Sequence, residues 1–154
     1  MPIPAGSIVT AGQLTRMQPK PYYQQAGSAT TISTTAFTVL GSCTINLNTL
    51  AAGATWMVQG NFSYDTATAV ASVYTRGALF VDGVQQSGES RWSEGSSGGD
   101  AADFDMAGKA WSGVLASAGA HTFELQCALN TAAGSPSIVA TGFSDLSVVI
   151  YEVV

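Results

Sequence analysis

Ala54–Gln85 reads ATWMVQGNFSYDTATAVASVYTRGALFVDGVQ, and its alternation decides the fold class. Trp56, Val58, Phe62 and Tyr64 fall on one face, with Gly60 in the gap; Met57, Gln59, Asn61 and Ser63 fall on the other. A period of two belongs to a strand with one dry and one wet face. The second half, Val70–Asp82, predicts another long strand. It runs into Asp82-Gly83, a dipeptide suited to a two-residue hairpin, whose central positions need positive φ. Two long antiparallel strands with an aromatic face need a second sheet to cover them.

The flanking sequence supplies that sheet. Upstream, Thr30–Thr34 and Ala36–Leu40 are rich in β-branched and aromatic residues, Gly41-Ser42 breaks the run, and Cys43, Ile45 and Leu47 then alternate with polar residues. Downstream, Lys109–Leu115 resumes a strand. His121, Phe123, Leu125, Cys127 and Leu129 point inward from the next. Ser137–Thr141 is a further strand and Gly142 a kink. The last segment carries Leu146, Val148 and Ile150 on one face and Val149, Tyr151 and Val153 on the other. A strand apolar on both faces lies centrally, with core on one side and another sheet or subunit on the other. The count predicts an all-β fold: a two-sheet antiparallel sandwich, a jelly roll of about eight strands spanning residues 29–154.

Residues 1–28 differ in character. They hold four of the five prolines, Pro2, Pro4, Pro19 and Pro21, which favour extended backbone and deny it ladder hydrogen bonds. Thr10 followed by Gln13 predicts a capping box opening one or two helical turns, too short to be stable alone. Ile3, Ile8, Val9, Leu14, Met17, Tyr22 and Tyr23 make the segment too apolar for a plain disordered tail. It reads as an extended N-terminal arm that docks on a partner through those residues.

Composition narrows the function. Charged residues make up 10% of the 154 residues, far below the ~25% of an ordinary domain. A smooth, hydroxyl-rich surface suits a protein covered by copies of itself or by a large assembly; a GC-rich genome would enrich the same residues. The net charge is -5, and Arg16, Lys20, Arg76, Arg91 and Lys109 are scattered, so no basic patch favours nucleic acid. No apolar run is long enough to span a membrane, and the N-terminus lacks the pattern of a secretory signal. Cys43 and Cys127 allow either a bridge across the sandwich or two buried thiols, and the missing signal favours the thiols.

Enzymatic signatures are weak. His121 is the sole histidine and lies on the inward side of a strand, where a structural role is expected. No Gly-x-Ser-x-Gly elbow is present, and one histidine with two distant cysteines is a poor zinc set. Gln86–Gly108 reads as a long loop holding Glu94, Asp100, Asp103 and Asp105, without the spacing of a calcium loop. No catalytic residue, cofactor or metal is expected. Within that loop Arg91 and Trp92 have the composition of an exposed contact, although Trp92 could also fold back to cap the domain.

Four segments taken in order carry a resemblance. They are the strand with Trp56, Gly60 and Phe62, the strand ending Gly77-Ala78-Leu79-Phe80-Val81-Asp82-Gly83, the alternating His121–Leu129, and Gly142–Glu152, GFSDLSVVIYE. Together they resemble the tumour-necrosis-factor/C1q-like jelly roll as used in tail, fibre and capsid-decoration proteins of tailed bacteriophages. The opening Ala5–Pro19 is similar to the first residues of small virion proteins of actinobacterial phages. The resemblance implies a homotrimer with its aromatic, doubly apolar strands around a three-fold axis. Phe62, Tyr64, Tyr74, Val149 and Tyr151 are the subunit-interface candidates.

The expected function is then a structural virion protein of a tailed bacteriophage. It would be a trimeric capsid decoration protein made in the host cytoplasm and held to the major capsid protein by its arm. Two alternatives stand beside it. One is a minor tail or fibre protein contacting the host surface. The other is a carbohydrate-binding β-sandwich module in which Trp92, Trp111 and Tyr74 stack on sugars.

Overall fold

The computed structural model describes residues 10–66, 72–93, 105–132, 138–140 and 142–153. A short helix, α1 (Ala11–Met17), precedes eleven strands among those residues. They are β1 (Lys20–Gln25), β2 (Thr30–Ile32), β3 (Thr38–Thr49), β4 (Thr55–Thr66), β5 (Thr75–Val81), β6 (Val84–Gln85), β7 (Ser90–Trp92), β8 (Asp105–Val114), β9 (Gly119–Leu129), β10 (Ile138–Ala140) and β11 (Asp145–Tyr151).

β4 is the spine of the first sheet. β11 and β10 pair along one of its edges and β8 along the other; β1 lies beyond β11 and β2 beyond β10. In the second sheet β3 pairs β9, β9 pairs β5, and β6 and β7 flank the far side of β5. Three pairs of short strands (β1 with β2, β6 with β7, β10 with β11) each share one position. The chain therefore fills eight positions, all antiparallel. The first, eighth, third and sixth make one sheet; the second, seventh, fourth and fifth make the other. This interleaving is the expected jelly roll.

The inward faces meet as the alternation requires. Trp56, Val58, Phe62 and Tyr64 of β4 are buried against Phe123, Leu125, Cys127 and Leu129 of β9. Trp56 meets Phe123 edge to face at 5.7 Å, and Phe62 meets Trp111 at 6.4 Å. Each such side chain contributes about 1.5–3 kcal/mol when fully buried. Leu146, Val148 and Ile150 complete this core from β11, which does lie centrally, between β1 and β4.

Several expectations change in physical detail. The stretch Ala54–Gln85 is not one paired unit, because β4 and β5 belong to different sheets. The described part of the second strand begins at Thr75, and its hairpin partner is the short β6. Asp82 and Gly83 have φ of 52° and 77°, the paired positive values that the turn demands. Gly41-Ser42 does not end a strand but forms a bulge inside β3, where the register shifts between Val39 and Thr44. At Gly41, with φ of 42°, an added Cβ would lie 2.2 Å from the Ser28 carbonyl oxygen, so only glycine lets the crossing segment pack there. β8 begins at Asp105, shortening the expected long loop, and β7 interrupts it.

Part of the segment read as an arm, residues 1–28, belongs to the sandwich. Lys20–Gln25 form β1, paired over six residues with β11, so Tyr22 and Tyr23 belong to the sandwich. Pro21 is tolerated because β1 is an edge strand. α1 has the expected capping box: the Thr10 hydroxyl accepts from Gln13 N at 3.2 Å, and Gln13 Oε1 accepts from Thr10 N at 2.8 Å. None of its residues is buried. Ile3, Ile8 and Val9 lie outside the described residues, as do Glu94, Asp100 and Asp103.

Candidate assembly surface

The outward face of the first sheet is built by register. Antiparallel partners point the same way, so the face consists of four nearly complete rows. Tyr151, Thr55 and Val114 form the first; Pro21, Val149, Met57 and Ser112 the second; Tyr23, Ser147, Gln59 and Ala110 the third; Gln25, Asp145, Asn61 and Gly108 the fourth. Ser63 and Met106 extend it on β4 and β8.

Two properties set this face apart. Tyr23, Met57, Met106 and Val114 are each 57–63% exposed, and Tyr151 is 39% exposed. Among the side chains named in these rows the only charge is Asp145, which accepts a hydrogen bond from Asn61 Nδ2 at 3.0 Å. A shallow, almost wholly apolar groove of about 190 Å³ runs between Met57, Ala110, Trp111 and Val149. Four strands ~4.8 Å apart and five rows ~6.8 Å apart span roughly 600 Å² of sheet, shared between these apolar side chains and small polar ones.

The outer face of the second sheet is different. Thr122 Oγ1 donates to Asn46 Oδ1 at 3.0 Å, and Gln126 Nε2 donates to Glu124 at 2.9 Å. Its apolar part is covered: Phe37 packs edge to face on Phe80 at 5.3 Å, and Arg76 lies over the Phe37 ring at 4.9 Å. Among the described residues the second sheet leaves Val84 of its edge strand β6 exposed, against Tyr23, Met57, Met106, Val114 and Tyr151 on the first.

The edge of that sheet is pinned by a buried carboxylate. Glu152 is 7% exposed and accepts from Lys20 Nζ of β1 at 3.2 Å and from Leu50 N at 3.2 Å. One side chain thus fastens β1, the C-terminal segment and the β3–β4 loop together.

The expected interface residues divide. Val149 and Tyr151 lie on the outward face. Phe62 and Tyr64 do not: both are fully buried in the subunit's own core, so neither can form a subunit contact. They sit on the dry side of β4, and their aromatic character serves the interior. Tyr64 stacks on Phe62 at 6.0 Å and on Trp92 at 5.3 Å, and burial raises its phenol pKa far above the usual range. Tyr74 belongs to the other sheet's end, beside Arg91. Trp92 is likewise not an exposed contact: it is half-buried on Tyr64, and its Nε1 donates to Asp105 at 3.1 Å. Trp111 is buried and donates to the Gly88 carbonyl at 2.9 Å. Trp111 thus presents no ring for a sugar to stack on, and Trp92 has one face taken by Tyr64. Leu14 and Met17 are exposed on α1.

Sequence reading missed Met57, Met106, Val114 and the outward placement of Tyr23. A signal was present for Met57, a large apolar residue on the supposedly wet face of β4.

His121 Nδ1 lies 2.7 Å from Asp82 Oδ2 and Nε2 lies 3.2 Å from the Ser117 carbonyl oxygen, so both ring nitrogens have partners. Burial works to raise the Asp82 pKa, but hydrogen bonds from His121 and Thr122 N outweigh it and leave the carboxyl below its usual value. Cys43 and Cys127 are free thiols; burial pushes both up to about 12, aided by the Asp145 charge at Cys43.

No protein-family model matches the sequence, and no curated protein sequence matches it. Solved structures do. The chain is similar to a chain of infectious bursal disease virus-derived T=1 particles, at 13% identity and a TM-score of 0.54, over 87% of this chain and 32% of that one. It is similar to a chain of the same virus's Gt strain at 12% identity and a TM-score of 0.52, over 87% and 33%. It is also similar to dimeric latent PorU from Porphyromonas gingivalis at 12% identity and a TM-score of 0.52, over 86% and 12%. The chain thus spans about a third of the viral chains and about an eighth of PorU, and what it has in common with all three is the β-sandwich fold.

Proposed function

We propose that this chain is a structural virion protein of a tailed bacteriophage, a trimeric capsid decoration protein whose arm docks on the major capsid protein. The single observation that carries the reading is the open, nearly uncharged outer face of the first sheet. A free monomer gains nothing from leaving Tyr23, Met57, Met106 and Val114 in water. Packing this face against two copies around a three-fold axis removes them from solvent. The phage and trimer parts rest on the sequence resemblance. The mechanism is mechanical: each trimer carries three arms, and linkage makes the second and third dock at high effective concentration. Residues 1–18 are the docking segment, with Leu14 and Met17 exposed for contact.

Light scattering tests the assembly. A trimer of a 15.7 kDa chain has a mass of about 47 kDa, and a stable 15.7 kDa monomer overturns the reading. Fractionated virions test the position: recovery with capsids supports decoration, and recovery with tails makes it a tail protein. Removing residues 1–18 should leave the trimer intact and abolish its capture by particles.

A further inference from the structure

A second feature lies at the β5–β7 end of the other sheet. An open cleft of about 520 Å³ there is lined by Tyr74, Arg76, Gln85, Glu89, Arg91, Asn130 and the Gln86–Gly88 turn. It is the one place among the described residues where two arginines converge, in a chain of net charge -5.

The two arginines are not equivalent. Arg76 is committed: Nε donates to Glu89 Oε2 at 3.0 Å and Nη2 to the other oxygen, a bidentate pair. Gln85 Nε2 also donates to Glu89, at 3.0 Å. Arg91 meets Glu89 only through Nε at 3.7 Å, and its side chain is 65% exposed. Its guanidinium lies over the Tyr74 ring, 5.5 Å from the centroid. One carboxylate thus faces two cations, and a net positive charge remains beside the arginine that lies over an aromatic ring. Asn130 holds the wall in place, accepting from Tyr74 N at 2.8 Å and donating to the Ser72 carbonyl at 2.9 Å.

We infer that this cleft binds the carboxylate of an acidic saccharide. The Nη edge of Arg91 is free to take a carboxylate bidentately, a geometry that suits guanidinium better than ammonium. The cleft is open, polar and of a volume that fits one or two sugar rings. Tyr74, Ser87, Gln85 and Gln86 line the cleft, and their side-chain types include the mixed donors and acceptors that sugar hydroxyls require. An acidic peptide also brings a carboxylate, but sugar hydroxyls both donate and accept at one atom and so match hydroxyl and amide groups in more arrangements, which favours the saccharide.

The test is ligand-observed NMR with the full chain, using glucuronate, glucose, acetate and a tri-glutamate peptide as probes. Glucuronate should bind at least tenfold more tightly than glucose or acetate. Arg91→Gln should weaken glucuronate binding at least tenfold, with Arg91→Lys in between, while the mass in solution stays that of the parent. Equal binding of acetate reduces the site to a simple anion contact and overturns the saccharide assignment. Tighter binding of tri-glutamate makes it a peptide site and overturns it too. Unchanged binding by the R91Q protein shows that the cleft is not the site. A monomeric parent chain that still binds glucuronate separates this inference from the proposed assembly.

Discussion

Replacing Met57 by lysine tests the assembly surface most directly. Met57 stands near the start of β4, flanked in register by Val149 and Ser112, and is 57% exposed in the isolated chain. Fully burying a methionine side chain yields about 1.5–3 kcal/mol, so roughly 1–1.5 kcal/mol per copy remains to be gained on assembly. Three copies around an axis would contribute about 3–4 kcal/mol. A lysine loses that gain and must also keep its ammonium in water, at a cost of at least similar size. The total, about 6 kcal/mol, corresponds to a roughly 10⁴-fold loss in the trimer association constant. The subunit itself should barely notice, because an exposed position away from the core shifts stability by no more than ~0.5 kcal/mol. Light scattering over a wide range of concentration, with urea unfolding beside it, reads both quantities. The expected outcome is a 47 kDa parent and a folded 15.7 kDa variant, with Met57→Ser between them. If the M57K protein keeps the parent's mass, this face is not the contact and the argument from its exposed apolar side chains is wrong.

Three further outcomes follow from the core and its charges. Gly77 faces the buried aromatic pair, and an added Cβ would lie 2.7 Å from Phe62 Cε1 and 2.8 Å from the Tyr64 hydroxyl; Gly77→Ala should therefore cost about 1–3 kcal/mol in urea unfolding, and a neutral result would show that the two rings can shift. The Arg76 hydrogen bonds hold Glu89 below its ordinary pKa of 4.5, so its ionised form favours the folded state; this stability should be fully present above pH 4.5 and fall away as the pH drops through the lower folded value, and Glu89→Gln should flatten the urea midpoint against pH in that window. With both thiol pKa values raised to about 12, Cys43 and Cys127 should react with a disulfide reagent at pH 8 only as fast as the chain unfolds; rapid native-state labelling of either would contradict their burial.

Local pattern and tertiary context contributed different things. Strand alternation is written into the chain because side-chain direction in an extended backbone has a period of two whatever it packs against. Trp56, Val58, Phe62 and Tyr64 could therefore be assigned to one dry face, and His121–Leu129 to another, before any contact was known. Asp82-Gly83 and the Thr10–Gln13 capping box were legible for the same reason, since both rest on interactions spanning two to four residues. Which sheet each strand joins is not local. β4 and β5 are neighbours in sequence and lie in opposite sheets, because β4's hydrogen bonds are taken by β8, β10 and β11. The same holds for β1: its prolines marked it as an arm, and only the long-range ladder to β11 makes it an edge strand.

The candidate surface shows the limit most clearly. Aromatic residues on β4 looked like contact residues, yet an alternating strand cannot say which of its faces meets the subunit's own second sheet. Packing against β9 claims Phe62 and Tyr64, and that leaves Met57 outside with Val149 and Tyr151 beside it. The rows that join Pro21, Val149, Met57 and Ser112 draw on four segments up to 128 residues apart. The sequence by itself determined the eight-position β-sandwich and the sides of its longest strands, because those depend on local backbone geometry and burial. Only the tertiary structure decided which apolar residues remain in water, because exposure is a property of what packs alongside.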